Sequence, residues 1–269
     1  MKPDARDVFS NATAYERYVG RWSHLVAQQF IAWLGVPAGS AWLDVGAGTG
    51  ILTQVILQEA SPSKAIGVDL SSEYIDFARQ RIHDSRVEFR VEDASEIAFE
   101  SAPFDVAVAG LVLNFVPSAE QTTRNMMQAV KNGGTVAAYV WDYGGQMEMM
   151  RHFWDAAIQV DPMARELDAG QRFAICEPNN LRVLFESMDL QAVEVIPIDI
   201  DTHFKDFDDY WLPFLGAQGS VARYLRGLKD TTRDAIRDQL QQQLPVTEHG
   251  EISLVARAWA VKGTKSLSL

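Results

Sequence analysis

Apolar residues along this chain follow two periodicities. Near the start, Tyr15, Tyr18, Trp22, Leu25, Val26, Phe30, Trp33 and Leu34 recur at three- and four-residue spacing, which predicts an amphipathic helix with a broad aromatic face. From residue 41 onward, short apolar runs alternate with helical patterns. The runs at 41–45, 64–69, 86–92, 104–110 and 135–141 read as strands, and the segments 49–60, 71–82 and 119–130 between them as helices, with Ser71 a predicted N-cap. Residues 104–110 are nearly all apolar, as a strand buried on both faces requires, whereas 86–92 alternate as a half-exposed edge strand does. Past residue 141 the rhythm changes. Helices are predicted at 146–160 and 178–188 and strands at 192–198 and 252–261. The insertion between those strands carries Phe204, Phe207, Tyr210, Trp211, Phe214 and Tyr224.

Strands and helices that alternate this regularly imply right-handed crossovers. The expected fold is therefore α/β, a doubly wound, mostly parallel seven-stranded sheet with helical cap insertions. A single domain over 1–269 is expected, with an N-terminal helical segment at 1–36 and cap or lid insertions at 142–190 and 199–249.

Composition narrows the partners. The 269 residues are 47% hydrophobic, enough for a large core. With 24 basic against 36 acidic residues the net charge is −12, which repels phosphate backbones, so a small-molecule substrate is expected and nucleic acid is not. The chain lacks an apolar run of bilayer length, and its first residues are too polar for a signal peptide, so a soluble cytoplasmic monomer or homodimer without membrane contact is expected. A single cysteine, Cys176, excludes an internal disulfide and cysteine-rich metal centres; no metal is expected, and Cys176 reads as a core residue.

The strand Leu43-Asp44-Val45 breaks into Gly46-Ala47-Gly48-Thr49-Gly50. Three alternate glycines strip the turn of side chains, letting the backbone approach a nucleoside ligand with its amides pointing into the gap. The spacing fits neither common phosphate-binding loop. A dinucleotide fingerprint needs its third glycine one residue later, where Ile51 stands, and a P-loop needs Lys-Ser or Lys-Thr where this chain has Ile51-Leu52. Asp69 follows the glycines by about 20 residues, the spacing of a ribose carboxylate.

This glycine motif, followed in order by Asp69, by Val91-Glu92-Asp93-Ala94, by Phe104-Asp105-Val106-Ala107-Val108-Ala109-Gly110 and by the Gly133-Gly134 turn, resembles class I S-adenosylmethionine-dependent methyltransferases of the small-molecule type. The resemblance implies a Rossmann-like methyltransferase fold and S-adenosyl-L-methionine as cofactor. It places Gly46, Ala47, Gly48 and Gly50 under the amino-acid tail and Asp69 on the ribose hydroxyls, with Leu70 beside it. It puts Asp93 and Ala94 at the adenine and Gly110 at the methionine portion. Asp44 either meets the cofactor's ammonium, orients the loop or caps the turn. Arg21, with Tyr15 or Tyr18 beside it, is implied at the methionine carboxylate.

Methyl transfer from a sulfonium is an in-line displacement, for which alignment alone supplies roughly 7 to 11 kcal/mol in favourable cases. A dedicated catalytic residue is therefore not required, and a base helps only where the acceptor is a hydroxyl or amine. Asp142, just past the fifth strand, and His152 are the candidate bases; a helix cap and a surface histidine are the alternatives. Tyr18, Asn114, Phe115, Tyr143 and Trp211 are candidate acceptor contacts, and the aromatics around Trp211 suggest an apolar or planar substrate. Two competing readings stay open: an NAD(P)-dependent oxidoreductase on a Rossmann fold, and a non-catalytic S-adenosylmethionine-binding protein.

Overall fold

Sequence runs rich in Val, Ile and Ala become the central strands of one sheet. The computed structural model describes residues 16–99, 101–216 and 219–267. Among the described residues there are seven strands, β1 (Ala41–Val45), β2 (Lys64–Asp69), β3 (Val87–Val91), β4 (Phe104–Gly110), β5 (Val130–Trp141), β6 (Gln191–Phe204) and β7 (Ile252–Thr264), in the order β3-β2-β1-β4-β5-β7-β6. Strands β1 to β5 pair in parallel. β7 runs the other way: Gly133 pairs with Lys265 while Asp142 pairs with Arg257, and against β6 the partners are Asp199 with Arg257 and Thr202 with Leu254. The sheet is thus mostly parallel with an antiparallel edge, as expected.

The chain divides into two compact units. One holds the N-terminal stretch to Trp22, Trp141–Ala174 and Asp199–Arg257; the other holds Ser23–Val140, Ile175–Ile198 and Ala258–Leu269. In the second, sheet-bearing unit, Trp42, Leu43, Val45, Val106, Ala107, Val108 and Ala109 are buried, so β1 and β4 are covered on both faces. The helix Arg21–Leu34 contributes Val26, Phe30 and Leu34 to this core, with the Phe30 ring 4.7 Å from Tyr139. Leu25 falls outside the face drawn from sequence; it is 39% exposed, because the buried positions 22, 26 and 30 keep a four-residue spacing.

Three elements differ in extent from the sequence expectation. β5 begins at Val130, ahead of the Gly133-Gly134 turn, because that turn stays in the ladder: Gly133 N–H donates to Lys265 O and Lys265 N–H to Gly134 O. The excess residues form a bulge against β4. β6 continues to Phe204 and β7 to Thr264. In β6 the extension alternates, with Ile200, Thr202 and Phe204 buried and Asp199, Asp201 and His203 outward. The predicted cap holds: Ser71 Oγ accepts from Tyr74 N–H at the start of helix Ser72–Arg81.

In the other unit, helices Glu148–Val160, Phe207–Gly216 and Ser220–Gly227 pack through aromatic rings; Phe153 and Phe214 stack with centroids 4.9 Å apart, and Tyr210 donates to Met149 O at 2.8 Å. No helix among the described residues is long and apolar enough to cross a membrane.

Candidate functional site

Parallel pairing in the order β3-β2-β1-β4 brings four strand ends to one edge of the sheet. Asp44 lies on β1, Asp69 ends β2, Asp93 follows β3 and Gly110 ends β4. In open α/β sheets this carboxyl edge is where ligands bind. The predicted set Asp44, Gly46, Ala47, Gly48, Gly50, Asp69, Leu70, Asp93, Ala94 and Gly110 is thus gathered within the sheet-bearing unit.

The glycine loop does not present its amides to a ligand as the sequence suggested. Gly46 and Ala47 N–H both donate to Val68 O (2.8 and 2.9 Å), Gly48 N–H donates to Asp69 Oδ2 (2.9 Å) and Gly50 N–H to Ala47 O (2.9 Å). The reason is geometric. The turn curls back over the end of β2, where the Val68 carbonyl and the Asp69 carboxylate take up three of those donors. A pyrophosphate cradle needs amides that point outward, so a loop closed in this way gives a phosphate chain little to hold.

The glycines are needed for space. Gly46 has φ +72°, and a Cβ there would lie 2.5 Å from Val112 Cγ2. At Gly110 a Cβ would lie 2.7 Å from the Tyr139 hydroxyl oxygen. Just past Gly110, Leu111 adopts φ +60°, uncommon for a branched residue and found where a backbone is held for a purpose.

The carboxylates differ in environment. Asp69 accepts from Gly48 N–H and from Ser71 N–H (2.8 Å), yet burial still pushes its pKa above the ordinary value. Asp93 Oδ1 accepts from both the backbone and the hydroxyl of Ser95 (2.8 and 2.6 Å), which hold its carboxyl below the usual range. Asp44 is fully enclosed. Burial pushes its pKa up to about 7 against the lowering effect of a 2.6 Å hydrogen bond from Thr53 Oγ1, and the Asp69 charge adds to the rise. Leu70, 69% exposed, stands beside Asp69 as an apolar surface at this edge.

Two supports escaped the sequence reading. Thr53, in the helix Ile51–Val55, donates its hydroxyl to Asp44; its place one turn past the loop is a usable signal. Asn125 donates from Nδ2 to Ala94 O at 3.1 Å and so holds the Asp93-Ala94 segment, a contact across 31 residues that no local pattern announces.

Asn114 and Phe115 also follow β4 in this unit; Asn114 Nδ2 is buried without a hydrogen-bond partner, and Phe115 N–H closes a turn on Val112 O.

The remaining candidates belong to the helical unit. Arg21 donates to both oxygens of Asp209 (3.1 and 3.3 Å) while its guanidinium lies over Trp22 and Phe204. Tyr18 donates to Met150 Sδ and packs edge-on to Phe214; Trp211 is buried against Phe207 and Phe214. Tyr15 lies outside the described residues. Asp142 Oδ2 accepts from Gln146 N–H, which closes the turn ahead of helix Glu148–Val160; it does not cap that helix, whose N-cap is Met147. His152 is half-buried, and burial lowers its pKa, favouring the neutral ring at pH 7. Tyr143 packs near Phe173, and its carbonyl accepts from Arg151, which also grips Asp168 with both Nη atoms. That ion pair is enclosed, with side chains 17% and 3% exposed. Asp168→Ala leaves the guanidinium without its main partner and is expected to cost about 2 kcal/mol in chemical denaturation, after allowance for Asp155, which still pairs with Arg151.

Comparison with known proteins fits this geometry. Residues 43–138 match a family model described as a methyltransferase domain. Among curated proteins, the chain is 26% identical to malonyl-[acyl-carrier protein] O-methyltransferase of Acetivibrio thermocellus, over 49% of this chain and 46% of that protein. It is 27% identical to demethylmenaquinone methyltransferase of Lactobacillus johnsonii, over 49% and 59%. The chain spans about half the length of the curated relatives it matches. Among solved structures, Haemonchus contortus phosphoethanolamine N-methyltransferase 2, in complex with phosphomonomethylethanolamine and S-adenosylhomocysteine, superposes with a TM-score of 0.59 at 17% identity, over 95% of this chain and 57% of that one.

Proposed function

From the match of residues 43–138 to a methyltransferase-domain model, we propose that this chain is a class I S-adenosylmethionine-dependent methyltransferase that transfers a methyl group from S-adenosyl-L-methionine to a small-molecule acceptor. One observation carries the reading. The amides of Gly46, Ala47, Gly48 and Gly50 are taken up by Val68, Asp69 and Ala47, while carboxylates end β2 and follow β3. Such an edge suits a ligand with hydroxyls, an amine and positive charge, and suits a diphosphate poorly.

When bound, S-adenosylmethionine supplies a methyl group on a sulfonium, an electrophile that needs no further activation. The chain's part is to hold and align. Asp69 would accept from the ribose hydroxyls, with its carboxylate kept in place by Gly48 and Ser71. Asp93 would accept from the adenine amine, with Leu70 as apolar cover. The bare loop from Gly46 to Gly50 admits the amino-acid tail. Asn114, whose amide nitrogen Nδ2 is buried without a hydrogen-bond partner in the segment after β4, is put forward on the acceptor side. Alignment of this kind lowers the barrier without a base, and neither Asp142 nor His152 is required. Relatives named for malonyl-[acyl-carrier protein], demethylmenaquinone and phosphoethanolamine support a small acceptor without choosing one. A cytoplasmic setting fits this chemistry.

The test is release of S-adenosylhomocysteine when the protein and S-adenosylmethionine are incubated with fractionated metabolite pools. Acceptor-dependent release is the expected result. Tight cofactor binding with no release from any pool would instead make the chain a non-catalytic binder.

A further inference from the structure

Asp44 sits beneath the glycine loop with one oxygen bonded to Thr53 and the other, Oδ1, buried without any hydrogen-bond partner. An ionised carboxylate enclosed in this way is short of the several donors it would have in water, so its charge is poorly compensated. Its neighbours add no cation. Across β1 it faces Gly67 on β2 and Val108 on β4, the helix Ile51–Val55 offers the hydroxyl and the backbone N–H of Thr53, and the charged group that acts on it is the Asp69 carboxylate. The Thr53 hydrogen bonds favour the ionised form, but burial, reinforced by the Asp69 charge, outweighs them and favours the neutral one.

Resting on the cofactor reading above, we propose that Asp44 is a proton-linked charge beneath the loop: it holds a proton until a cationic ligand lies above it, then releases that proton and becomes the ligand's counter-charge. The step balances simply. The carboxyl O–H bond breaks, its electron pair stays on the Asp44 oxygen, and the proton leaves to solvent. Since the Oδ atoms lie beneath the loop, the carboxylate works through its field. Asp44 is therefore a positioning residue that favours a sulfonium ligand over a neutral one.

The direction of the pH effect follows. Burial holds the Asp44 pKa at about 7 in the folded chain, so below that pH the binding of a cation must expel a proton and affinity falls as pH falls. Linkage of one proton changes affinity by up to about tenfold per pH unit. Above pH 8 Asp44 is already ionised and the dependence levels off.

Isothermal titration at pH 6, 7 and 8, in buffers of different ionisation heat, tests this with S-adenosylmethionine and with uncharged adenosine as probes. Asp44→Asn keeps the shape and a partner for Thr53 while removing the titration, and subtracting its profile also removes the ligand's own ammonium titration. Wild type is expected to lose five- to tenfold more affinity for S-adenosylmethionine between pH 7 and 6 than Asp44→Asn does, with proton release visible in the buffer-dependent heat and absent for adenosine. If Asp44→Asn does not fold, the contrast between the two probes in wild type decides alone. Equal proton release with both probes, or parallel profiles in the two proteins, would overturn the proposal while leaving the cofactor reading intact. Failure of both probes to bind at any pH would overturn the cofactor reading and this proposal with it.

Discussion

Asp69→Ala is expected to weaken S-adenosylmethionine binding by about 100-fold or more while the protein stays folded. The carboxylate ends β2 with its oxygens held by Gly48 N–H and Ser71 N–H, so it reaches the edge of the sheet already oriented. Hydrogen bonds to a charged group contribute about 1.5–3 kcal/mol each, and two ribose hydroxyls make the loss at least about 3 kcal/mol, or two orders of magnitude in Kd. Stability changes less, because the two amides freed by the substitution lie near the surface, where water can take over. Asp69→Asn separates charge from shape. It retains one acceptor and is expected to fall between wild type and alanine. Titration calorimetry with each variant measures the effect, and an alanine variant of undiminished affinity would remove Asp69 from the ribose.

Gly46→Ala is expected to lower stability by about 3 kcal/mol, roughly 6–12 °C in thermal midpoint for a chain of this size. Two costs add. The residue has φ +72°, which a Cβ penalises by about 1 kcal/mol or more. The new methyl would also meet Val112 Cγ2, Cβ and Cγ1 at 2.5, 2.8 and 2.9 Å, so no rotation of the valine relieves the clash and the loop or the end of β4 must move. Gly39→Ala is the control. It shares a positive φ, +82°, with open space around it, and is expected to show the conformational cost alone. Equal destabilisation of the two variants would mean that the contact with Val112 is of no consequence.

The stretch that forms β1 to β4 was legible because strands buried on both faces, such as β1 and β4, leave nearly unbroken apolar runs, because β3 alternates as an edge strand does, and because the acidic residues near the strand ends stand out against those runs. The extents of β5 and β6 were obscured by chemistry that sequence reading weighs locally. Gly133-Gly134 signals a turn, yet its backbone pairs with Lys265, far along the chain. Asp199, Asp201 and His203 signal a loop, yet they are only the outward positions of an alternating strand. The loop amides were misjudged for a related reason: whether an N–H faces a ligand or Val68 depends on how the turn folds over the neighbouring strand. On the acceptor side, Tyr18, Trp211 and Phe214 carry the same aromatic pattern whether they line a pocket or pack on one another. Arg21 could be assigned a carboxylate from sequence, but the one it holds, on Asp209, is 188 residues away.

Competition binding puts the central claim to its most direct trial. With labelled S-adenosylmethionine on the protein, adenosine is expected to displace it and NAD at millimolar concentration to leave it in place, since on this account carboxylates hold the ribose and adenine while the amides of Gly46, Ala47, Gly48 and Gly50 are taken up within the protein. Displacement by NAD at low concentration, or no retention of S-adenosylmethionine at all, would contradict the account.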